Sequence, residues 1–142
     1  MNEDRPKKKE YNFCFLHIKG VDDAGHDKKL KMKMDLLERI NEAMEKAVSE
    51  RKIGRVGICI TGDHSTLMRT GEHTFEPVPF AITKLEDAKA YFLEEEKEKV
   101  LERISARDDV RKFDELSAGK GALGRFIGSE TMGVVRRFMQ VV

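Results

Sequence analysis

Two short apolar runs separated by one long amphipathic stretch set the strongest limit on how this chain can fold. Residues 12–18, Asn-Phe-Cys-Phe-Leu-His-Ile, and residues 55–60, Arg-Val-Gly-Ile-Cys-Ile, are short, apolar and rich in aromatic or β-branched side chains. Each reads as a buried strand. Between them, from Asp27 to about Arg51, apolar residues recur at Leu30, Met34, Leu37, Ile40, Met44, Ala47 and Val48. Spacings of three and four with charges between them describe an amphipathic helix, with Asp27 as its N-cap. Strand, long helix and strand make a βαβ unit, which predicts an α/β protein with a mostly parallel sheet covered by helices.

After the second strand comes a polar stretch, 61–76, and then Pro77-Val78-Pro79-Phe80-Ala81-Ile82, whose prolines suit an edge strand or an extended segment. From Leu85 to about Arg107 the spacing predicts a helix with Tyr91, Phe92, Val100, Leu101 and Ile104 on its buried stripe and the run 94–99 on a solvated face. A glycine-rich tail (Gly119, Gly121, Gly124, Gly128) leads into a terminal helical pattern with Met132, Val135, Phe138 and Met139. A chain of 142 residues is expected to form one domain, 1–142, with residues 1–10 flexible.

Charge narrows the partners. Lys plus Arg number 27 and Asp plus Glu 26, so no global field favours nucleic acid or an anionic membrane. No apolar run is long enough to cross a bilayer, and the segment following Lys7-Lys8-Lys9 lacks the apolar core of a leader peptide. A cytoplasmic protein with neither a nucleic-acid nor a membrane partner is expected. Cys14 and Cys59, each inside an apolar run, are expected to be buried free thiols.

Chemistry concentrates beyond the two expected strands. In open α/β sheets ligands bind at the carboxyl ends of the strands, and each strand delivers a polar cluster there. The first is Asp22-Asp23-Ala24-Gly25-His26, a carboxylate four residues ahead of an imidazole with a glycine permitting a tight backbone course. The second is Thr61-Gly62-Asp63-His64-Ser65-Thr66, where adjacent Asp63 and His64 reach one ion only from a turn. His73 lies nine residues beyond His64, close enough to fold back over the same rim. Mixed Asp and His ligation without thiolate suits Mn2+ or Zn2+, and two such ions about 3.5–4 Å apart suit phosphoryl transfer. His17, inside the first strand, reads as a core or sheet-edge histidine. Lys19, two residues later on the same face, could meet an anionic substrate.

The motifs His17-Ile18-Lys19, Asp22 through Asp27, Thr61 through Thr66, His73 with Pro77-Val78-Pro79, and Phe113, Glu115, Gly121, Leu123-Gly124-Arg125 and Gly128 occur in an order that resembles one known family. It is the archaeal-type cofactor-independent (2,3-bisphosphoglycerate-independent) phosphoglycerate mutases of the alkaline phosphatase superfamily, matched in their C-terminal portion. The resemblance implies part of a three-layer α/β/α sandwich and two divalent ions, Mn2+ first, with Mg2+ or Zn2+ as alternatives. By position, Asp22, His26 and His73 resemble the ligands of one ion, and Asp63 and His64 those of the other. Asp23 is the less favoured acidic neighbour. Lys19 and Arg125 are the candidate substrate-binding residues.

The implied activity is interconversion of 2-phosphoglycerate and 3-phosphoglycerate, in glycolysis and gluconeogenesis, through a phosphoserine. The family's N-terminal segment, with its nucleophilic serine and a further Asp ligand, has no counterpart in these residues, so no catalytic residue is assigned. Ser65 and Thr66 follow the Asp-His pair directly, but the family places its nucleophile elsewhere. The charged stretch 84–112 also departs from the family's pattern. A complementing N-terminal chain or a homo-oligomer is therefore an expected partner beside phosphoglycerate. The alternatives are a non-catalytic metal-binding or interaction module and a phosphohydrolase of the same superfamily.

Overall fold

The computed structural model of the chain describes residues 11–50, 54–93, 97–105, 108 and 110–140. The expected flexibility of 1–10 lies outside them. A short helix α1 (Gly20–His26) precedes the long helix α2 (Leu30–Glu50). Strand β1 (Gly57–Thr61) follows, then a small ribbon of β2 (Ser65–Leu67) and β3 (Glu72–Thr74), then β4 (Phe80–Lys84). Helices α3 (Leu85–Phe92), α4 (Lys97–Ser105) and α5 (Glu115–Ala118), a single 3₁₀ turn (Gly128–Glu130) and helix α6 (Thr131–Gln140) complete the order.

The fold is mixed α/β, with two two-stranded sheets among the described residues. β1 and β4 run antiparallel, in register from Gly57 opposite Lys84 to Thr61 opposite Phe80. β4 starts at Phe80, directly after Pro79, because a proline has no N–H to give to the ladder. α2 packs on α1 and α3, and α6 returns to β1, where Met139 lies over Gly57 and the Arg55 guanidinium donates to the Met139 carbonyl. Among the described residues the buried apolar core is small: Ala24, Val48, Leu85, Val100 and Val134.

Three sequence expectations about the backbone need correction. Residues 12–18 form no strand and no parallel pair with β1, and their side chains are exposed, Phe15 and Leu16 each at 78%. A lone extended run cannot satisfy its own backbone groups. β1 instead pairs through the shorter connection to β4, which leaves its other edge free among the described residues. The cluster 22–26, expected beyond the end of a strand, is helical, and Asp27 caps the C-terminus of α1 rather than the N-terminus of α2. The expected helix 85–107 is two helices, since Leu93 ends α3 just before Glu94-Glu95-Glu96. Acidic residues are unfavourable at a helix C-terminus and favourable in a first turn, where Glu98 sits in α4.

Side-chain burial was also misread in places. On α2 the less exposed row is Leu36, Ile40, Met44 and Val48, while Leu30, Met34 and Leu37 face solvent. The helix is apolar on more than one face, and the described residues cover one of them. On α3 and α4, Val100 is buried as expected but Tyr91 is exposed, with the Lys97 ammonium 5.0 Å from its ring centroid. The side chain of Ile104 lies outside the described residues. Cys14 and Cys59 are free thiols, but exposed ones. His17 is exposed too, its ring 6.4 Å from that of Phe15, because the strand meant to bury it does not form.

Candidate metal centre

α1 supplies the first two groups. Residues four apart on a helix share a face, so Asp22 and His26 project side by side, with His26 Nε2 3.3 Å from Asp22 Oδ1. α1 closes with the carbonyl of Ala24 accepting from Lys29 N and that of Gly25 from Lys28 N, a Schellman arrangement with Lys28 left-handed at φ 56°.

The β2–β3 ribbon supplies the rest. Thr66 stands directly opposite His73 in the ribbon, and His64, just ahead of β2, brings its Nδ1 to 3.5 Å from the Thr66 hydroxyl. The ribbon lies against α1. His73 Nε2 comes 3.0 Å from His26 Nε2 and 3.7 Å from Asp22 Oδ1. The rings of His64 and His73 lie 3.6 Å apart between centroids, and one donor atom each from Asp22, His64 and His73 falls within 4.8 Å of the others. Asp63 adjoins this group, its Oδ2 3.3 Å from His64 Nε2 and its Oδ1 accepting from the His64 amide.

Hydrogen bonds fix the orientation of the donors. His26 Nδ1 lies 2.7 Å from the Gly71 carbonyl, an acceptor only, so Nδ1 carries the proton and the Nε2 lone pair faces Asp22 and His73. Asp22 Oδ1 accepts from the Thr66 hydroxyl at 2.7 Å and Oδ2 from the Lys19 ammonium at 3.2 Å. These contacts, the Thr66 hydroxyl foremost and then Lys19, hold the Asp22 carboxyl at about 2 against its ordinary 3.8. It is therefore an anion throughout the pH range in which imidazoles are neutral.

The donor set suits a divalent ion. Four ligands at about 2.0–2.1 Å from a tetrahedral ion stand roughly 3.3 Å apart. Asp22 Oδ1, His26 Nε2 and His73 Nε2 stand 3.0, 3.3 and 3.7 Å from one another.

The other residues singled out from sequence fall outside this cluster. The Lys19 ammonium is engaged by Asp22 and by Asp23, at 3.2 and 3.1 Å, and both contacts raise its pKa, that with Asp23 more. Asp23 is exposed. The Arg125 guanidinium lies beside Gly119 in the tail, and no hydrogen bond or ion pair joins it to the histidines among the described residues. Two contributors were missed from sequence: the Thr66 hydroxyl, read only against the role of nucleophile, and the Gly71 carbonyl. The alternation of His64 with Thr66 was the available signal for the first. No side chain signals the second.

A family model for the Metalloenzyme superfamily matches residues 3–110. The chain belongs to that superfamily. Among curated relatives of this metalloenzyme chain, a protein of Pyrococcus horikoshii is 34% identical over 131 residues, 92% of this chain and 27% of the relative. One of Methanococcus maripaludis strain C7 is 31% identical over 133 residues, 94% of this chain and 28% of the relative. One of Pyrobaculum neutrophilum is 33% identical over 129 residues, 91% and 26%. All three are named 2,3-bisphosphoglycerate-independent phosphoglycerate mutase, so the resemblance read from the motifs holds. This metalloenzyme chain spans about a quarter of the length of those relatives. No solved structure matches it significantly.

Proposed function

We propose that this chain carries the metal-binding part of a phosphoglycerate mutase that interconverts 2-phosphoglycerate and 3-phosphoglycerate. The observation that carries the reading is the meeting of Asp22 and His26 from α1, His73 from the β2–β3 ribbon and His64 from just ahead of it, in a chain whose relatives bear that name. Asp22, His26 and His73 would hold one divalent ion, and Asp63 with His64 a second, Mn2+ being the first choice for this oxygen and nitrogen set. Bound ions supply Lewis acidity, offsetting the charge of the phosphoryl oxygens and clamping attacking and leaving groups.

The chain's own residues prepare that chemistry. The Gly71 carbonyl sets the His26 tautomer, Thr66 and Lys19 aim the Asp22 carboxylate, and Lys19 sits at the rim where an anionic phosphoglycerate would arrive. Arg125 is retained as a second substrate contact by resemblance alone. The serine that would carry the phosphoryl group lies in polypeptide outside these 142 residues, as would the strands that complete a three-layer sandwich with a mostly parallel sheet around a single domain. The relatives' greater length supports that division and the expectation of a complementing chain or a homo-oligomer. A cytoplasmic setting goes with a glycolytic step, and no described helix is long and apolar enough to cross a membrane.

The test is an assay of 2- and 3-phosphoglycerate interconversion with Mn2+, on this chain together with any coding sequence found upstream of Met1. Metal-dependent turnover that is lost in His26→Ala and in His73→Ala is expected. Metal binding without turnover would reassign the chain as a non-catalytic module. Hydrolysis of an aryl phosphate without interconversion would make it a phosphohydrolase.

A further inference from the structure

Thr66 is the one polar residue buried as a whole among the described residues, 9% exposed, and each of its parts is engaged. Its hydroxyl donates to Asp22 Oδ1 at 2.7 Å and stands 3.5 Å from His64 Nδ1. The same carboxylate oxygen is 3.3 Å from His26 Nε2 and 3.7 Å from His73 Nε2. Its methyl group and Cβ lie against Gly25 of α1, so closely that a Cβ added there would meet them at 3.0 and 3.1 Å. Its carbonyl accepts from the Lys33 ammonium at 3.3 Å.

We infer that Thr66 is a positioning residue for the metal centre, its hydroxyl locking the Asp22 carboxylate in the orientation that presents Oδ1 to the ion. The inference rests on the metal reading above. A carboxylate turns easily about its last torsion, and a free one loses that motion when it binds. Thr66 removes the motion in advance, taking one lone pair of Oδ1 and leaving the other for the ion. The methyl packs against α1 where Gly25 leaves room, so packing favours the same rotamer that the hydrogen bond to Asp22 selects. Ribbon and helix are thus tied through the residue that aims the ligand.

Two variants separate this role from packing. Thr66→Val keeps the shape and loses the donor; Thr66→Ser keeps the donor and loses the methyl. Mn2+ affinity is measured by calorimetric titration of the full 142-residue chain, with urea unfolding of the metal-free chain alongside. Outer-ring partners of metal ligands are worth roughly 10–100-fold in affinity, so Thr66→Val is expected to weaken binding by that factor and Thr66→Ser by less than about threefold. Equal affinity in Thr66→Val and wild type overturns the inference, as does a Thr66→Ser loss matching or exceeding that of Thr66→Val. If Thr66→Val does not fold, Thr66→Ser decides: near-wild-type affinity supports the role and a tenfold loss removes it. A wild-type chain that takes up no Mn2+ overturns the metal reading itself, a result distinct from equal binding by the variants.

Discussion

At the scale of single residues, Asp22 is the most constrained group. Its carboxyl is held at about 2 when folded against an ordinary 3.8, so folding favours its ionised form. The sign follows: this contribution is complete above the unfolded value and is lost as pH falls through the folded one. Urea unfolding of the metal-free chain is expected to show stability falling between about pH 5 and pH 2, and falling less steeply in Asp22→Asn. Because Lys19 is exposed the difference stays within about 1 kcal/mol. Equal slopes would show that the carboxylate's partners do not act on stability. The ligand candidates were legible because Asp and His at spacings of four and one, with a third His nearby, form a pattern few purposes require. Their orientation was not. The carbonyl of Gly71 leaves no mark in a sequence, and Thr66 looks like any strand threonine until the helix it faces is known.

At the scale of elements, two backbone positions support the centre. Gly71 has φ +74°, and a Cβ there would come 2.7 Å from the His26 carbonyl oxygen. Gly71→Ala is expected to cost about 1–3 kcal/mol in urea unfolding and to weaken Mn2+ binding as well, since His26 leans on the same residue. Lys28 is the opposite case, a lysine in the left-handed region at φ 56° between α1 and α2. Lys28→Gly is expected to raise stability by roughly 0.5–1 kcal/mol with metal affinity unchanged, measured by the same titrations. Helix α2 was plain from its periodicity. α1 was not, although the Asp22 and His26 spacing is helical, because Gly25 drew attention as a turn former while its use is to admit Thr66. The strand at 55–60 emerged as β1, but its partner was unreadable: pairing depends on which edge is reached first, a property of the whole chain.

For the whole molecule the balance of buried and exposed apolar groups decides what to expect. Five apolar side chains are buried among the described residues, while Phe15, Leu16, Phe75 and Leu116 are at least 78% exposed. Exposure on this scale marks surfaces made to be covered. The isolated chain is expected to bind a hydrophobic dye and to self-associate, and joining it to the polypeptide that completes the relatives' length should suppress both. A monomeric chain that ignores the dye would contradict this. The strand at 12–18 was read correctly as apolar and wrongly as paired, since pattern reports what a segment could bury and says nothing of whether a neighbour is present.

The ribbon of β2 and β3 has three residues per strand, and a hairpin that small is marginal by itself. It carries Thr66 and His73, and His64 directly precedes β2. Ion exchange in this protein should therefore be timed by the ribbon lifting from α1, a sub-global opening much cheaper than unfolding the chain. The rate at which a chelator strips the ion would then follow the amide hydrogen exchange of Thr66 and His73, and remain insensitive to destabilising changes in α6.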